Sequence, residues 1–525
     1  MTLLLWTLVV PAVTAALGVL PGPRWVKEAR LVAGLCVTLI LSAATAGKFL
    51  GGSVPTAFDD ALRVDGLSAL VLVLSAFVGL MSGLYSVGYL RRNEERRLMP
   101  RQNEERSLVT RGKEERRRAP RGSEERRLVP PSRRREFDAL VPLYVFAMLL
   151  VAVSNNLGIL WIAVELTTLV SVFLVAFHNR DTSLEAAWKF LVLGSLGLAF
   201  ALLGTVLLFA SGRGLLGEGM SGLNWTRFMS LAHELHPFTL KLGVVFALIG
   251  YATKAGLAPM HTWKPDAYRE APSPAGVLMA VGMLNGALYS LLRIHLIAKA
   301  ALGPGFSGGL LLMLGLLSVA VATPFILIQW NLKRLLAYSS IEHVGIMAVG
   351  LGLGGEAATF GALLHMTYHT FVKPLAFFSA GTLAQLHRSS DFEDIGTGTL
   401  GRTPVASGLF VLAAVMVTGS PPFGLFFSEM IILRAGFLGP HTALVAFFLA
   451  CLVLLFCGYF FQVGRLILGP EPESATRRKP DAERLDAGTA TTMLAAVLAV
   501  VSAFYLPQRL LDLIHAAVRV VEGAQ

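Results

Sequence analysis

The chain has 525 residues, 54% of them hydrophobic, and a formal net charge of +11. A mean hydropathy of +0.63 excludes an ordinary water-soluble globular protein. No GxGxxG, Walker or haem CxxCH motif is present, and Cys36, Cys451 and Cys457 all lie in apolar runs, so this chain offers no nucleotide site, haem or iron–sulfur cluster of its own.

In chain order, the first apolar run is Leu3–Leu20. No basic residue precedes it, so it lacks the n-region of a cleaved signal peptide and is predicted to be a retained span with its N-terminus outside. Leu31–Ala46, Gly66–Leu90, Leu140–Ser154, Leu157–Phe177, Leu191–Phe209, Leu242–Leu257 and Val277–Ala298 follow. Gly309–Ile328, Leu335–Leu353, Phe360–Leu383, Val405–Ile432, Leu444–Leu468 and Thr491–Leu506 complete the series. Each run approaches the ~20 residues that carry a helix across the hydrocarbon core. Only helices satisfy their own backbone one run at a time. The expected fold is an all-α polytopic membrane protein with about fourteen transmembrane helices.

The positive charge sits mainly in four loops, Arg24–Arg30, Arg91–Arg135, Lys333–Arg334 and Arg465–Arg484. Counting spans from an outside N-terminus places all four in the cytoplasm, in agreement with the positive-inside rule. The charge therefore reports topology, and nucleic acid is not expected as a partner. Between residues 91 and 130 the sequence repeats every ten residues: RRNEERRLMP, RQNEERSLVT, RGKEERRRAP, RGSEERRLVP. Paired glutamates partly cancel the arginines, which suits a solvated insert better than an arm for anionic lipid.

Two spans carry polar, proline-rich interruptions, the seventh at Lys254–Pro259 and the twelfth at Gly419–Phe423. Proline removes a donor and disfavours helix at the preceding residue. The two breaks correspond if spans 4–8 and 9–13 are two inverted five-helix repeats, an arrangement that marks transport sites. Two ordinary proline kinks are the alternative. The expected organisation is 1–90 for spans 1–3, 91–136 for the repeat loop, 137–300 and 301–469 for the two repeats, and 470–525 for a loop and the last span.

Several spans hold ionisable residues. Glu165 lies about 12 Å along its helix, near mid-membrane, where a carboxylate costs roughly 2.5–3.5 kcal/mol on the gentlest scale. Lys254 precedes the first break, where orphan carbonyls favour a cation and desolvation opposes one, and Glu165 is its expected counter-ion. His365, His369 and Lys373 recur at i, i+4 and i+8 on one helix face, suited to proton relay or to interhelical hydrogen bonds. No HExxH and no third ligand is evident, so no metal is expected there. Glu429 follows the second break, Glu342 and His343 could extend a polar line, Asp65 reads as a helix N-cap, and Arg293 and His295 share the eighth span. Groups of both signs in many spans suit a row of protonatable residues carrying H⁺, or Na⁺ exchanged against it.

KAGLAPMHTWKPDAYREAPSP (Lys254–Pro274) resembles the seventh-span signature of the antiporter-like subunits of respiratory complex I and Mrp antiporters. NNLGILWIAVELTTL, KRLLAYSSIEHVG, HMTYHTFVKPLAFFSAG and SPPFGLFFSE match further blocks in order, and SSIEHVG and GLAPMHTW look most like the F-type membrane subunit of hydrogenase-4 and formate hydrogenlyase. The resemblance implies a proton channel through Glu165, Lys254, His365, His369, Lys373 and Glu429. Candidates for a further relay are Glu342 and His343 on the polar line, and His295 or ordered water in place of the lysine that Asn285 replaces. Complex I subunits usually carry a lysine in the eighth span where this chain has Asn285, a departure that supports the hydrogenase-4 branch, and Lys264 replaces a usual apolar residue in what reads as a loop. The implied protein is a multi-pass subunit of a prokaryotic cell membrane, with no cofactor of its own. It would translocate H⁺ beside other membrane subunits and a peripheral hydrogenase-like redox arm. A cation/proton antiporter or inorganic-carbon uptake subunit is one rival reading, and a non-transporting anchor for a peripheral enzyme is another.

Overall fold

A computed structural model describes residues 2–98, 131–217, 219–470 and 480–523. Most of the decapeptide repeat, 99–130, lies outside the described residues. The helices are α1 (Thr2–Val19), α2 (Arg24–Leu50), α3 (Gly66–Leu98), α4 (Pro131–Val153), α5 (Leu157–Val175), α6 (Asp181–Ser211), α7 (Pro237–Ala255), α8 (Trp263–Glu270) and α9 (Ser273–Leu302). There follow α10 (Pro304–Leu327), α11 (Leu332–Leu353), α12 (Glu356–His387), α13 (Pro404–Val417), α14 (Gly424–Phe437), α15 (Thr442–Leu468), α16 (Ala487–Phe504) and α17 (Gln508–Glu522). A two-stranded hairpin, Thr56–Ala57 with Leu62–Arg63, joins α2 to α3.

Twelve of the described helices are long and apolar enough to cross a membrane. With α12, whose 32 residues span about 48 Å, and the interrupted pair α13–α14, they make up the expected set of about fourteen. The interruptions fall where the prolines put them: α7 stops at Ala255 and resumes as α8, and α13 stops at Val417 and resumes as α14. Apolar residues fill the interior and also coat the outside, while buried ionisable residues are concentrated on a few helices. The central helices α9, α11 and α12 are almost wholly buried and carry many of the buried ionisable residues, whereas α1, α2, α6 and α15 turn much of their apolar surface outward. Exposed Ile162, Phe173, Trp188, Val206 and Phe461 belong to that outer coat, as lipid contact requires.

Two helix starts share one construction. Asn156 caps α5 by accepting from the Gly158 and Ile159 amides, while its backbone bridges to Asn224 in the loop before α7. Asn331 caps α11 by accepting from the Lys333 and Arg334 amides and bridges to Asp391 in the loop before α13. These are the starts of the fifth and tenth spans.

Ion pairs join the basic loops at one end of the bundle. Glu28 pairs with Arg24, Arg91 and Arg134, and Arg134 also meets Glu94 at 2.7 Å. Arg92 pairs with Asp486, Arg334 with Asp266 at 2.8 Å, and Arg465 covers the Trp330 ring. At the opposite end Asp65 caps α3 through the Ser68 amide at 2.9 Å and pairs with Arg293 at 2.7 Å. Arg293 stacks on Trp225 and Tyr289.

One helix escaped the hydropathy reading. Residues 508–522 form α17, an amphipathic helix beyond the last apolar run. Its Leu513, Ile514, Ala517, Val518 and Val521 are buried, while Glu522 takes Lys299 at 2.8 Å and the Thr359 hydroxyl at 2.5 Å. Arg509, Asp512 and Arg519 keep its hydropathy low although one face is fully apolar.

Candidate proton-transfer site

The first polar group forms where α5, α6 and α7 meet. Close packing of α6 on α7 rests on small residues: a Cβ at Gly204 or Gly250 would strike the facing backbone. Glu165 is half-buried on α5 and accepts from the Ser195 hydroxyl at 3.1 Å. Its other carboxyl oxygen is buried with no hydrogen-bond partner among the described residues. Lys254, near the end of α7, is buried. The expected ion pair with Glu165 is not formed. Lys254 Nζ instead donates to Thr168 Oγ1 at 2.8 Å and lies 5.0 Å from the Phe190 ring centroid. Thr168 stands one turn beyond Glu165 on α5, so carboxyl and ammonium share a neighbourhood without touching.

The second group spans α11, α12 and α14. Lys373 Nζ donates to Ser339 Oγ at 2.9 Å, and Glu342 is its electrostatic neighbour on α11. His343 Nδ1 and His365 Nε2 are 2.9 Å apart, and His365 Nδ1 meets Ser428 Oγ at 2.9 Å. The ring of His369 lies 5.0 Å from that of His343, and neither of its nitrogens has a hydrogen-bond partner among the described residues. Glu429 reaches back to the break before α14, so that a Cβ on Gly419 would run into its carboxyl. Gly419 has φ +63°, a conformation open to glycine.

His343, His365 and Glu429 hold ligand-capable atoms within 4.8 Å of one another. Two imidazoles and a carboxylate are a donor set that could hold a divalent cation. The linear reading paired His365 with His369, but this cluster leaves His369 out and joins His365 to His343 on α11 and Glu429 on α14.

Between the groups runs α9. A π-helical turn, Leu278–Met283, precedes Asn285, a feature that recurs at functional sites. Asn285 is buried and donates to Thr370 Oγ1 at 3.1 Å, while its amide oxygen has no partner among the described residues. His295 is not part of this region. It lies ten residues on, about 15 Å along the axis, bonded to Ser307 near Lys299 and Glu522.

Lys264, which reads as a loop residue from the sequence, stands in a helix instead. It lies in α8 with 0% exposure, and its Nζ donates to the Ala255 carbonyl at 2.5 Å. Gly256, at φ +73°, closes α7 and leaves the space that the Lys264 stem fills. Only a fold that returns α8 beneath the end of α7 buries this side chain, so periodicity offered no signal for it.

Residues 154–454 match the family profile described as "NADH:quinone oxidoreductase/Mrp antiporter, TM", and residues 55–98 match "NADH-Ubiquinone oxidoreductase (complex I), chain 5 N-terminus". The chain is 34% identical over 405 residues to a hydrogenase-4 component F homolog of Methylacidiphilum infernorum, covering 77% of each chain. It is 33% identical to NADH-quinone oxidoreductase subunit N of Desulforudis audaxviator, covering 70% of this chain and 73% of the relative. In fold it is similar to a chain of an archaeal membrane-bound sulfane sulfur reductase, with TM-score 0.80 at 21% identity over 99% of this chain and 98% of the other. A chain of the Mrp complex from a Dietzia species gives TM-score 0.78 at 15% identity, over 99% and 97%. With more than half of its length matched by one profile and a relative above 30% identity over three quarters of both chains, the protein belongs to the NADH:quinone oxidoreductase/Mrp antiporter transmembrane family.

Proposed function

We propose that this chain is the proton-translocating membrane subunit of a hydrogenase-4-like or complex I-like redox-driven assembly in a prokaryotic cell membrane. The observation that carries the reading is the second polar group: Lys373, Glu342, His343, His365, His369 and Glu429 lie together in the bundle interior beside a broken helix. Burying so many ionisable groups is costly, and several keep polar atoms unpaired that a purely structural network would satisfy. Groups that can be either charged or neutral at one place are what proton relay requires.

Glu165 and Lys254 form the other half of the path. A carboxyl and an ammonium near each other without a fixed bond can exchange charge with their surroundings as a partner subunit moves. Electron transfer belongs to partner subunits, in keeping with the likeness to a hydrogenase-4 component and an NADH-quinone oxidoreductase subunit. Other membrane subunits and a peripheral arm complete the assembly, and H⁺ is the expected cargo.

The test begins with purification of the intact complex and identification of its partners. The complex is then reconstituted in phospholipid vesicles, with pumping driven by its own redox reaction. Glu165→Gln is expected to abolish pumping with assembly unchanged on a native gel. Undiminished pumping would remove Glu165 from the path. If Lys254→Met and His365→Asn were equally silent, the chain would be an anchor.

A further inference from the structure

The two polar groups leave a gap beneath the end of α7, and Lys264 occupies it. We propose that Lys264 is the proton-transfer residue that links the Lys254 group to the His369–Lys373 group, an inference that rests on the proton-moving reading above.

Burial comes first. Lys264 is fully enclosed, and among the described residues its ammonium donates a single hydrogen bond, to the Ala255 carbonyl. A lysine ammonium has three donors, so the fixed charge is poorly compensated for a group taken out of water. No carboxylate forms an ion pair with it among the described residues. A neutral amine suits the same surroundings better, and a side chain that is tolerable in either state can pass a proton.

Position comes second. Ala255, the residue that accepts from Lys264, directly follows Lys254. On its other side Lys264 lies within electrostatic reach of both Lys373 and His369. His369 in turn has both ring nitrogens free of partners among the described residues and stacks edge-on with His343, which touches His365. Lys264 therefore touches the end of α7 next to Lys254 and lies within electrostatic reach of Lys373 and His369. Asn285, also in this region, has no ionisable group and cannot carry the proton itself.

The step balances simply. The neutral Lys264 amine accepts one proton from the Lys254 ammonium through hydrogen-bonded water, leaving a neutral Lys254 amine and a Lys264 ammonium. The Lys264 ammonium then releases that proton to His369 or the Lys373 amine and returns to its starting state. The redox cycle of the assembly sets the direction.

A purely structural role for Lys264 would be to cap α7, and the conservative variant separates the two. Lys264→Arg keeps a cation able to donate to Ala255 but cannot deprotonate. Lys264→Met keeps the stem and removes the ammonium. Lys264→Gln keeps a neutral donor. The intact complex bearing each variant is reconstituted and its redox-driven proton flux is compared with its electron-transfer rate. All three are expected to lower the protons moved per electron at least tenfold in complexes that assemble normally. Retention of pumping within twofold by Lys264→Arg or Lys264→Met overturns the proposal. So does failure of all three variants to assemble, which would assign Lys264 to folding. Lys254→Met and His365→Asn run in parallel. If they abolish pumping while the Lys264 variants do not, only this link is wrong; if they too are silent, the proton-moving reading itself fails.

Discussion

Lys254 and Thr168 are joined by a 2.8 Å hydrogen bond across α7 and α5, and this contact, rather than an ion pair with Glu165, holds the ammonium in place. The bond is neutral on one side, so it survives whether or not Glu165 is protonated. A hydrogen bond between a charged and a neutral group contributes about 1.5–3 kcal/mol. Thr168→Val, which keeps the shape and removes the acceptor, is expected to lower redox-driven pumping roughly tenfold, the equivalent of about 1.4 kcal/mol in a barrier. The electron-transfer rate of uncoupled complex, measured in detergent, should change far less. Equal losses in both rates would make the bond structural.

The contact between His343 and His365 requires one nitrogen to carry hydrogen and the other to be bare, whereas a bound cation would require both to be bare. Elemental analysis distinguishes the two. His343→Gln is expected to reduce proton flux severalfold and to leave the zinc, nickel and iron content of the purified complex unchanged. Loss of one metal per complex on this substitution would replace the relay with a cation site.

Gly419 opens the second break, and its open side is filled by the Glu429 carboxyl. Gly419→Ala meets two obstacles, a left-handed backbone and that carboxyl. The backbone alone costs about 1–2 kcal/mol. Displacement of Glu429 should follow, with pumping reduced more strongly than thermal stability. Pumping by Gly419→Ala within twofold of the unaltered complex would show that the position of Glu429 is not critical.

The Asp65–Arg293 pair fastens the start of α3 to α9 at the end opposite the basic loops. Burial raises the Asp65 pKa, but the Arg293 guanidinium and the Ser68 amide outweigh it and hold the carboxyl below its ordinary value. A depressed carboxylate stabilises the fold fully above the unfolded pKa and loses that contribution as pH falls through the folded one. Asp65→Asn is therefore expected to destabilise the chain by about 3–5 kcal/mol near neutrality, since it strands a buried guanidinium. The difference in melting temperature between the two proteins should narrow under acid conditions. A difference independent of pH would show that the carboxylate charge is not what matters.

Much of the architecture was legible because lipid permits so few solutions. Runs of apolar residues specify helices, and the prolines at 259 and at 421–422 mark the interruptions. The candidate site was legible as a set of residues but not as a geometry. The i, i+4, i+8 spacing puts His365, His369 and Lys373 on one face, yet nothing local says that His343 and Ser428 will meet that face. Lys264 was undervalued because its burial is created by the return of α8, a long-range event. The helix α17 was missed for the opposite reason: its apolar face is local, but an average over a window mixes it with its charged face.

Glu28 has a consequence for the history of this chain. It pairs with Arg91 at the start of the repeat loop and Arg134 at its end, so both ends of the insert leave the bundle from one ionic knot. Arg91 and Arg134 are thus held together through Glu28 whatever number of decapeptides lies between them, so a change in that number need not move α3 relative to α4. Whole decapeptides could accumulate by slippage of a thirty-nucleotide unit while selection on the helices continued undisturbed.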